Sequence, residues 1–218
     1  TALLVQRTFK SMGIPFRSGL AITGVKGFLK GKAGLGPAIA VIGELDSLVV
    51  QDHPYADKVT GAAHACGHHC QIASMVGAMV GLSVPKVLNA LSGKIIPFAV
   101  PAEELIQVRQ RLKLRGENKI EFMGGKQELI RLGEFDDIDM AMLCHTNTDR
   151  LKITVGGTSN AHIVKYVEFT GKATHSGATP YLGINALNAA MFSLSAIHSI
   201  RETFREKDVV RSHGVMIN

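Results

Sequence analysis

Long apolar runs alternate with helical apolar stripes along the first part of the chain. Residues 38–45 and Lys94–Val100 are almost continuously apolar, as is typical of strands buried on both faces of a parallel sheet. Residues 72–82 are rich in Ala, Met and Gly, which indicates a tightly packed helix between these strands. The alternation predicts an α/β fold with a mostly parallel sheet flanked by helices. The other predicted elements are a helix at 3–12 that ends at Gly13, a strand at 25–29, a short helix at 127–132 and a strand at Met140–Leu143.

The pattern changes near Gly156, where a polar stretch at 156–160 predicts a joint between two domains. Residues 163–169 alternate like a half-exposed strand, and 183–205 predict a long amphipathic helix. Val215 and Met216 indicate the start of a further strand. We therefore expect a first domain at 1–158 and a second, partial one at 159–218. A strand–helix–strand piece is too small to close its own sheet, and the chain opens inside a helix, so we expect further sequence on both sides.

Composition and charge argue against some classes of protein and of binding site. With 46% hydrophobic residues among 218, the chain can bury a core and is not wholly disordered. The net charge of +6 permits an anionic partner. However, the dense basic stretch at 109–119 lacks interleaved aromatics, which favours a solvated surface segment over a nucleic-acid site.

Targeting signals and cysteine usage point to an intracellular setting. No leader pattern opens the chain, and no apolar run approaches the ~20 residues of a membrane span, so we expect no membrane partner. Three cysteines argue against a secreted disulfide framework. We expect a cytoplasmic, reducing setting in which the thiols are available as metal ligands.

Metal-competent residues follow three of the predicted strands. Asp46 follows the strand at 38–45, Glu103 and Glu104 follow Lys94–Val100, and His145 follows Met140–Leu143. Sites in open α/β sheets form outside the carboxyl ends of the strands. Cys66 and His68 lie in the motif His64-Ala65-Cys66-Gly67-His68-His69-Cys70, just before a predicted helix.

Each of these residues alone has a structural explanation, such as a buried thiol or a solvated turn. Together, thiolate, imidazole and carboxylate form a donor set for zinc or a similar divalent ion. The paired glutamates further suggest that one carboxylate holds the metal while the other acts as a general base toward metal-activated water. That chemistry suits the hydrolysis of an amide.

The same segments resemble a known family, the metallohydrolases that include aminoacylases, carboxypeptidase G-type enzymes and plant auxin-conjugate amidohydrolases. The resemblance is carried by 44–48, by Cys66-Gly67-His68, by Pro101-Ala102-Glu103-Glu104, by Leu143-Cys144-His145 and by 171–176, in matching order along nearly the whole chain. It is strongest to the branch with a Cys-Gly-His metal motif. It implies a zinc-exopeptidase-like catalytic domain at 1–158 and, at 159–218, the first part of a ferredoxin-like lid that dimerises.

The resemblance also implies residue roles. Cys66, His68, Glu104 and His145 would be metal ligands and Glu103 the general base, while Asp46 would orient the site from behind the ligands. His175 would stabilise the developing oxyanion in the partner subunit's active site, although it could instead cap the turn that follows it. The implied cofactor is one or two divalent ions, with Zn, Mn or Co favoured.

Several positions depart from the family pattern. Glu44 stands where Asp is usual, His69 where Asp or Asn is usual, and Gln71 where another His often stands. Cys70 is also unexpected, and the stretch 105–124 is longer and more basic than the usual Gly-rich turn. The family's last metal-binding histidine is expected beyond Asn218. These differences leave open whether one or two ions bind.

The sequence therefore predicts a metal-dependent amidohydrolase acting on N-acyl amino acids or small dipeptide-like substrates, and forming a homodimer through the lid. Two alternatives stay open. One is a degenerate relative that binds metal or ligand without turnover. The other is a metal-free hydrolase in which His68 or His145 activates Cys66 as the nucleophile.

Overall fold

The two continuous apolar runs form neighbouring strands at the centre of a six-stranded sheet. The structure, a computed structural model, describes residues 1–147, 153–156 and 161–212. It divides the chain into two compact units, Thr1–Arg150 and Leu151–Asn218. The strands of the first unit are β1 Phe16–Leu20, β2 Gly24–Gly27, β3 Leu29–Lys30, β4 Ala38–Glu44, β5 Leu48–Val49, β6 Ala62–Ala63, β7 Lys94–Val100 and β8 Met140–Leu143; its helices are α1 Ala2–Ser11, α2 His68–Leu82, α3 Pro85–Ala90, α4 Val108–Gly116 and α5 Gly125–Arg131.

The sheet has the order β1-β2-β7-β4-β8, and β3 also pairs with β7. Strand β4 lies between β7 and β8 and is parallel to both. The antiparallel strands β1 to β3 extend the sheet on the β7 side. The predicted α/β class with a mostly parallel central sheet is confirmed. The topology places the carboxyl ends of β7, β4 and β8 side by side.

Strands β4 and β7 are almost continuously apolar because both of their faces are covered. Ile95 and Ala99 of β7 pack on one face together with residues of α1 and α2, including Phe9 and Met75. Ile96 and Phe98 pack on the other face with Leu129 of α5. Burial of apolar surface at ~25 cal/mol per Å² makes this double-sided core the main stabilising contribution to the unit.

Helix α2 carries its buried residues at positions 68, 71, 72, 75 and 79, a helical stripe that faces the sheet. The lower part of the stripe is apolar and packs in the core. The first turn is polar, with His68 and Gln71. Because His68 and Gln71 lie on the same buried face of α2 as the core residues, their side chains point toward the strand ends.

The second unit contains one α-helix, α6 Ala186–Ser199, and three 3-10 turns among the residues described at 153–156 and 161–212. The predicted helix at 183–205 is therefore shorter: Asn185 caps its start by accepting a hydrogen bond from the N–H of Asn188 at 3.1 Å. The predicted strand at 163–169 is wrong, since the structure assigns it no regular structure. Alternation alone does not make a strand, because its backbone groups need a neighbouring strand. In the described part of this unit the single ladder contact is the antiparallel bridge between Lys172 and Ile184.

Two predicted features fall at least partly outside the described residues: the joint at 156–160 and the strand that includes Val215 and Met216. Among the described helices, none has the length and hydropathy of a membrane span.

Candidate metal centre

The ends of β4, β7 and β8 bring candidate ligands from four separate segments to one place. Cys66, His68 and His145 offer ligand atoms that all lie within 4.8 Å of one another, and so do Glu44, His68 and Glu103. His68 belongs to both groups, which makes it the centre of the site. The four residues that the resemblance names as ligands lie here, together with Glu103 and Asp46.

His68 is held in one orientation by Asp46. Its Nδ1 donates to the main-chain oxygen of Asp46 at 3.1 Å and lies 3.2 Å from the Asp46 carboxylate. Because a carbonyl oxygen can only accept, the proton of the neutral ring is on Nδ1 and the lone pair is on Nε2. That Nε2 lies 3.7 Å from Oε1 of Glu104 and 3.9 Å from Oε2 of Glu103. Asp46 also accepts from the N–H of Glu104 at 2.9 Å, so one side chain positions a histidine and a glutamate.

His145 is oriented in the same way. Its Nδ1 donates to the main-chain oxygen of Thr146 at 2.8 Å, which leaves Nε2 as the acceptor. This Nε2 lies 3.6 Å from the sulfur of Cys66. Metal-binding histidines typically use the second ring nitrogen in this manner, to fix the ring and its tautomer.

Gly67 allows Cys66 and His145 to approach each other. Its φ of +101° lies in the left-handed region, and a Cβ there would lie 2.1 Å from Oγ1 of Thr146. The Thr146 hydroxyl donates to the main-chain oxygen of Cys66 at 3.1 Å and so ties the two segments together. Only glycine satisfies both the backbone angle and the close contact between the Cys-Gly-His motif and the end of β8.

Buried acceptor atoms that lack a donor face this centre. Nε2 of His68 and Oε1 of Glu104 are buried and accept no hydrogen bond in the described structure, and Nε2 lies 3.0 Å from a second acceptor, Oε2 of Glu44. Such atoms are rare in folded proteins, since each lacks the interaction that it had with water. An imidazole lone pair and a carboxylate oxygen beside a thiol are suitable donors for a divalent cation. The residues present therefore fit a metal ion.

Glu44, also at this centre, has ample partners. It is 3% exposed; Oε2 accepts from Nε2 of Gln71 at 2.8 Å, and Oε1 contacts the Lys126 ammonium. The N–H of Glu44 donates in turn to Oε1 of Gln71 at 3.2 Å. Burial raises the pKa of Glu44, but the hydrogen bonds from Lys126 and Gln71 outweigh it, so its pKa lies below the ordinary value. Glu44 is thus held as a carboxylate by groups of the protein.

Two further groups at the centre, Glu103 and Cys66, have raised pKa values. Burial, followed by the charge of Glu44, raises the pKa of Glu103, which suits a group that must take up a proton. A hydrogen bond to Glu104, burial and the nearby carboxylates raise the pKa of Cys66 to about 11. A thiol with that pKa is protonated at neutral pH, which weighs against the alternative in which Cys66 attacks as a metal-free nucleophile.

Other residues highlighted by the sequence are exposed or form contacts of their own. Cys144 is exposed, and the Cys70 sulfur lies 3.4 Å from Nε2 of His69. His175 is in the second unit, where its Nδ1 accepts from the N–H groups of Gly177 and Ala178 at 3.1 and 3.0 Å. Those two bonds are the turn cap considered as the alternative role. They also leave the ring proton on Nε2, so the turn presents a donor.

The chain is similar to curated hydrolases along most of its length. N-acetyl-L-cysteine deacetylase of Bacillus subtilis (strain 168) is 30% identical over 207 residues, which are 92% of this chain and 45% of that protein. Xaa-Arg dipeptidase of Homo sapiens is 29% identical over 167 residues, 74% of this chain and 33% of that protein. The chain belongs to the aminoacylase and amidohydrolase family. No protein-family model matches it.

The chain spans less than half the length of these two amidohydrolase-family relatives. A crystal structure from methicillin-resistant Staphylococcus aureus, described as an aminohydrolase, has a similar fold. It superposes with a TM-score of 0.56 at 20% identity, over 92% of this chain and 50% of that one. The likeness shows that this chain and that structure share a similar fold.

The sequence did not predict the contacts of three residues at the centre of this family member: Gln71, Lys126 and Thr146. Gln71 was noted only as a departure from the family pattern, although its place one turn after His68 on the same buried stripe of α2 indicates that it faces the site. Thr146 directly follows His145, but its contact with Gly67 is visible only in three dimensions. Lys126 lies 82 residues from Glu44, and no pattern connects them.

Proposed function

We propose that the protein hydrolyses the amide bond of N-acyl amino acids or small dipeptide-like substrates with a divalent metal ion held by Cys66, His68, Glu104 and His145. The observation that carries the proposal is the pair of buried, unpartnered atoms, Nε2 of His68 and Oε1 of Glu104, beside the Cys66 thiol. The names of the two relatives support the substrate class, since N-acetylcysteine and an Xaa-Arg dipeptide are both amides of amino acids. Zn, Mn and Co are the ions proposed.

Glu103 is the proposed general base. When bound, the ion supplies a Lewis acid that polarises the substrate carbonyl and lowers the pKa of water. The Glu103 carboxylate takes a proton from the attacking water and returns it to the amide nitrogen as the C–N bond breaks, which releases a carboxylic acid and an amine. Its raised pKa brings the carboxyl group closer to the neutral pH at which this proton must be exchanged.

Asp46 acts through the residues that it holds. It fixes the His68 ring and the Glu104 backbone, so it keeps Nε2 and Oε1 aimed at the same point. The proposed role of His175 is to donate from Nε2 to the oxyanion that develops on the substrate carbonyl, in keeping with its turn contacts.

The proposal includes the organisation of the whole protein. Residues 1–158 are the catalytic domain, and 159–218 belong to a lid through which two copies form a homodimer. We place the protein in the cytoplasm, where free thiols such as Cys66 stay reduced. The partners are the small substrate and a second copy of the chain, with neither nucleic acid nor membrane.

The variant Glu103→Gln tests the proposal. A glutamine keeps the shape of the side chain but cannot take up a proton, so turnover should fall by at least about 100-fold. Bound metal, measured by elemental analysis, should stay at the wild-type level. The substrates are a panel of N-acetyl amino acids and Xaa-Arg dipeptides.

Glu117→Gln is the matched control, because it is the same substitution at an exposed residue that directly follows α4. It should retain full activity. Undiminished turnover in Glu103→Gln would refute the role of Glu103, and wild-type protein that binds no metal would refute the proposed function itself.

A further inference from the structure

Arg111 differs from the other basic residues of α4. The side chains of Arg109, Lys113 and Arg115 are exposed, whereas Arg111 is half-buried. Its Nε and Nη2 atoms are buried and have no hydrogen-bond partner among the residues that the structure describes. A buried charge without a partner is strongly unfavourable, because it has given up its contacts with water. The Arg111 guanidinium therefore lacks an interaction that a ligand would supply.

The two unpartnered nitrogens form one edge of the guanidinium. Nε–H and one N–H of Nη2 are parallel donors, and together they form the fork that binds both oxygens of a carboxylate. Such two-point binding is stronger and more specific than a single contact with an ammonium. The open edge of Arg111 thus matches a carboxylate in both geometry and charge.

The two carboxylates whose charges act on Arg111 are bound elsewhere. They belong to Asp46 and Glu128, and they only partly offset burial, which lowers the pKa of Arg111. Oε2 of Glu128 accepts from two backbone N–H groups, and Oε1 pairs with Arg131. Oδ2 of Asp46 accepts from the N–H of Glu104. Neither carboxylate forms a hydrogen bond with the buried edge of Arg111, which is left for a ligand.

Arg111 reaches the metal centre through the link between β7 and α4, residues 101–107. This link carries both glutamates of the centre, and the charge of Asp46, which holds the centre together, acts on Arg111. Three non-glycine residues of the link have positive φ values of 52°, 51° and 56°: Ala102, Leu105 and Gln107. Backbone strain of this kind is concentrated at sites of catalysis and ligand binding. The strained link therefore supports a role for α4 in the site.

We propose that Arg111 binds a carboxylate of the substrate and selects substrates that carry one. The inference rests on the proposed function and adds to it a residue that determines specificity. An N-acyl amino acid or dipeptide offers a carboxylate in its amino-acid half, and a dicarboxylic acyl group offers one in the acyl half. The fork of Arg111 fits the chemistry that both share.

The test compares Arg111→Met and Arg111→Lys with the control Arg109→Met, each in the full-length, metal-loaded protein. The compounds are N-acetyl-L-glutamate, its neutral isostere N-acetyl-L-glutaminamide, and N-succinyl-L-glutaminamide, whose carboxylate is in the acyl half. Each is measured as a substrate and as a competitor of a panel substrate that wild type hydrolyses. A compound that is not turned over then still gives a binding constant.

Arg111→Met should weaken the binding of at least one acidic compound by about 100-fold. The loss should fall on KM and leave kcat nearly unchanged, because the contact is the same before and during the reaction. Arg111→Lys keeps the charge without the fork and should lose about tenfold. The neutral compound should bind equally to all variants, and Arg109→Met should behave as wild type. The acidic compound that is affected identifies the half of the substrate that Arg111 contacts.

Other results would overturn the inference. If the neutral compound lost as much affinity as the acidic ones, or if kcat or bound metal fell instead, Arg111 would have a structural role. Unchanged binding of both acidic compounds in the two Arg111 variants would also exclude the contact. If Arg111→Met folds poorly, the selective loss in Arg111→Lys decides alone. Wild type that hydrolyses no member of the panel would instead refute the proposed function, and the inference with it.

Discussion

Two polar clusters of the first unit differ in how completely their charges are paired. The Lys26 cluster (Lys26, Lys94, Glu134 and Asp137) lies where β7 and β8 begin. The Lys26 side chain is 1% exposed, yet its ammonium donates to the main-chain oxygen of Glu134 at 2.6 Å and to Asp137 at 2.5 Å. Lys94 donates to the other carboxylate oxygen of Asp137 at 3.1 Å. The metal centre lies where β4, β7 and β8 end, and there His68 and Glu104 have buried atoms without partners.

The difference separates residues that stabilise the fold from residues reserved for a ligand. Burial raises the pKa of Asp137, but its hydrogen bonds with Lys26 and Lys94 outweigh burial, so the pKa lies below the ordinary value. In the Lys26 cluster, each charged group stabilises the charged form of its neighbour. At the metal centre the unpartnered atoms cost free energy in the absence of a ligand. A fold retains such atoms where a bound group restores the lost interactions.

The largest expected effect is the loss of metal-dependent stability in His68→Ala. Binding at 1,000 times Kd stabilises a folded protein by about 4 kcal/mol. Removal of the central ligand should abolish most of this gain, because no other nitrogen occupies the same point. The measurement is urea unfolding of wild type and variant, each with and without Zn²⁺.

Lys26→Met is the contrasting control in that experiment. It should lower the free energy of unfolding equally with and without Zn²⁺, and it should retain the zinc-dependent gain of wild type. An undiminished zinc effect in His68→Ala would contradict the assignment of the centre, and a zinc effect lost in Lys26→Met would contradict the separation of the two clusters.

The loss of stability in Lys26→Met itself is the second expectation. Breaking a buried ion pair from one side typically costs 3–5 kcal/mol, because the partner stays buried and unpaired. Asp137 is 44% exposed and can regain water, so we expect a loss near the lower end, about 3 kcal/mol. Thermal or urea unfolding without metal measures it. A loss below about 1 kcal/mol would show that hydration replaces the pairing.

Sequence patterns predicted the framework of the metal centre better than its contacts. Lys94–Val100 and Met140–Leu143 are strands as predicted, because each is a short apolar run, a signal that can be read locally in the sequence. Parallel strands align their ends, which is why polar residues after β4, β7 and β8 converge. Lys126 depends on a helix packed under a distant strand, and residues 163–169 would need a partner strand to form the predicted one. Neither requirement can be read from the local periodicity of the sequence.

Gly67→Ala gives the smallest expected effect and tests how the centre is assembled. An alanine in the left-handed region costs about 1–2 kcal/mol, and its Cβ would also collide with the Thr146 hydroxyl. We expect a loss of about 2 kcal/mol in unfolding without metal, since the collision can relax only by moving the Cys66 segment away from His145. That movement should also weaken zinc binding by about tenfold, or 1.4 kcal/mol. The double variant Gly67→Ala/Thr146→Ala relieves most of the collision, leaving the Thr146 Cβ at 3.0 Å, and keeps the backbone strain. Its reference is Thr146→Ala, because that change also removes the hydroxyl bond to the main-chain oxygen of Cys66. Relative to Thr146→Ala, the double variant should bind zinc with nearly the same affinity but stay about 1–2 kcal/mol less stable, whereas equal stability of the two would show that strain at Gly67 contributes nothing.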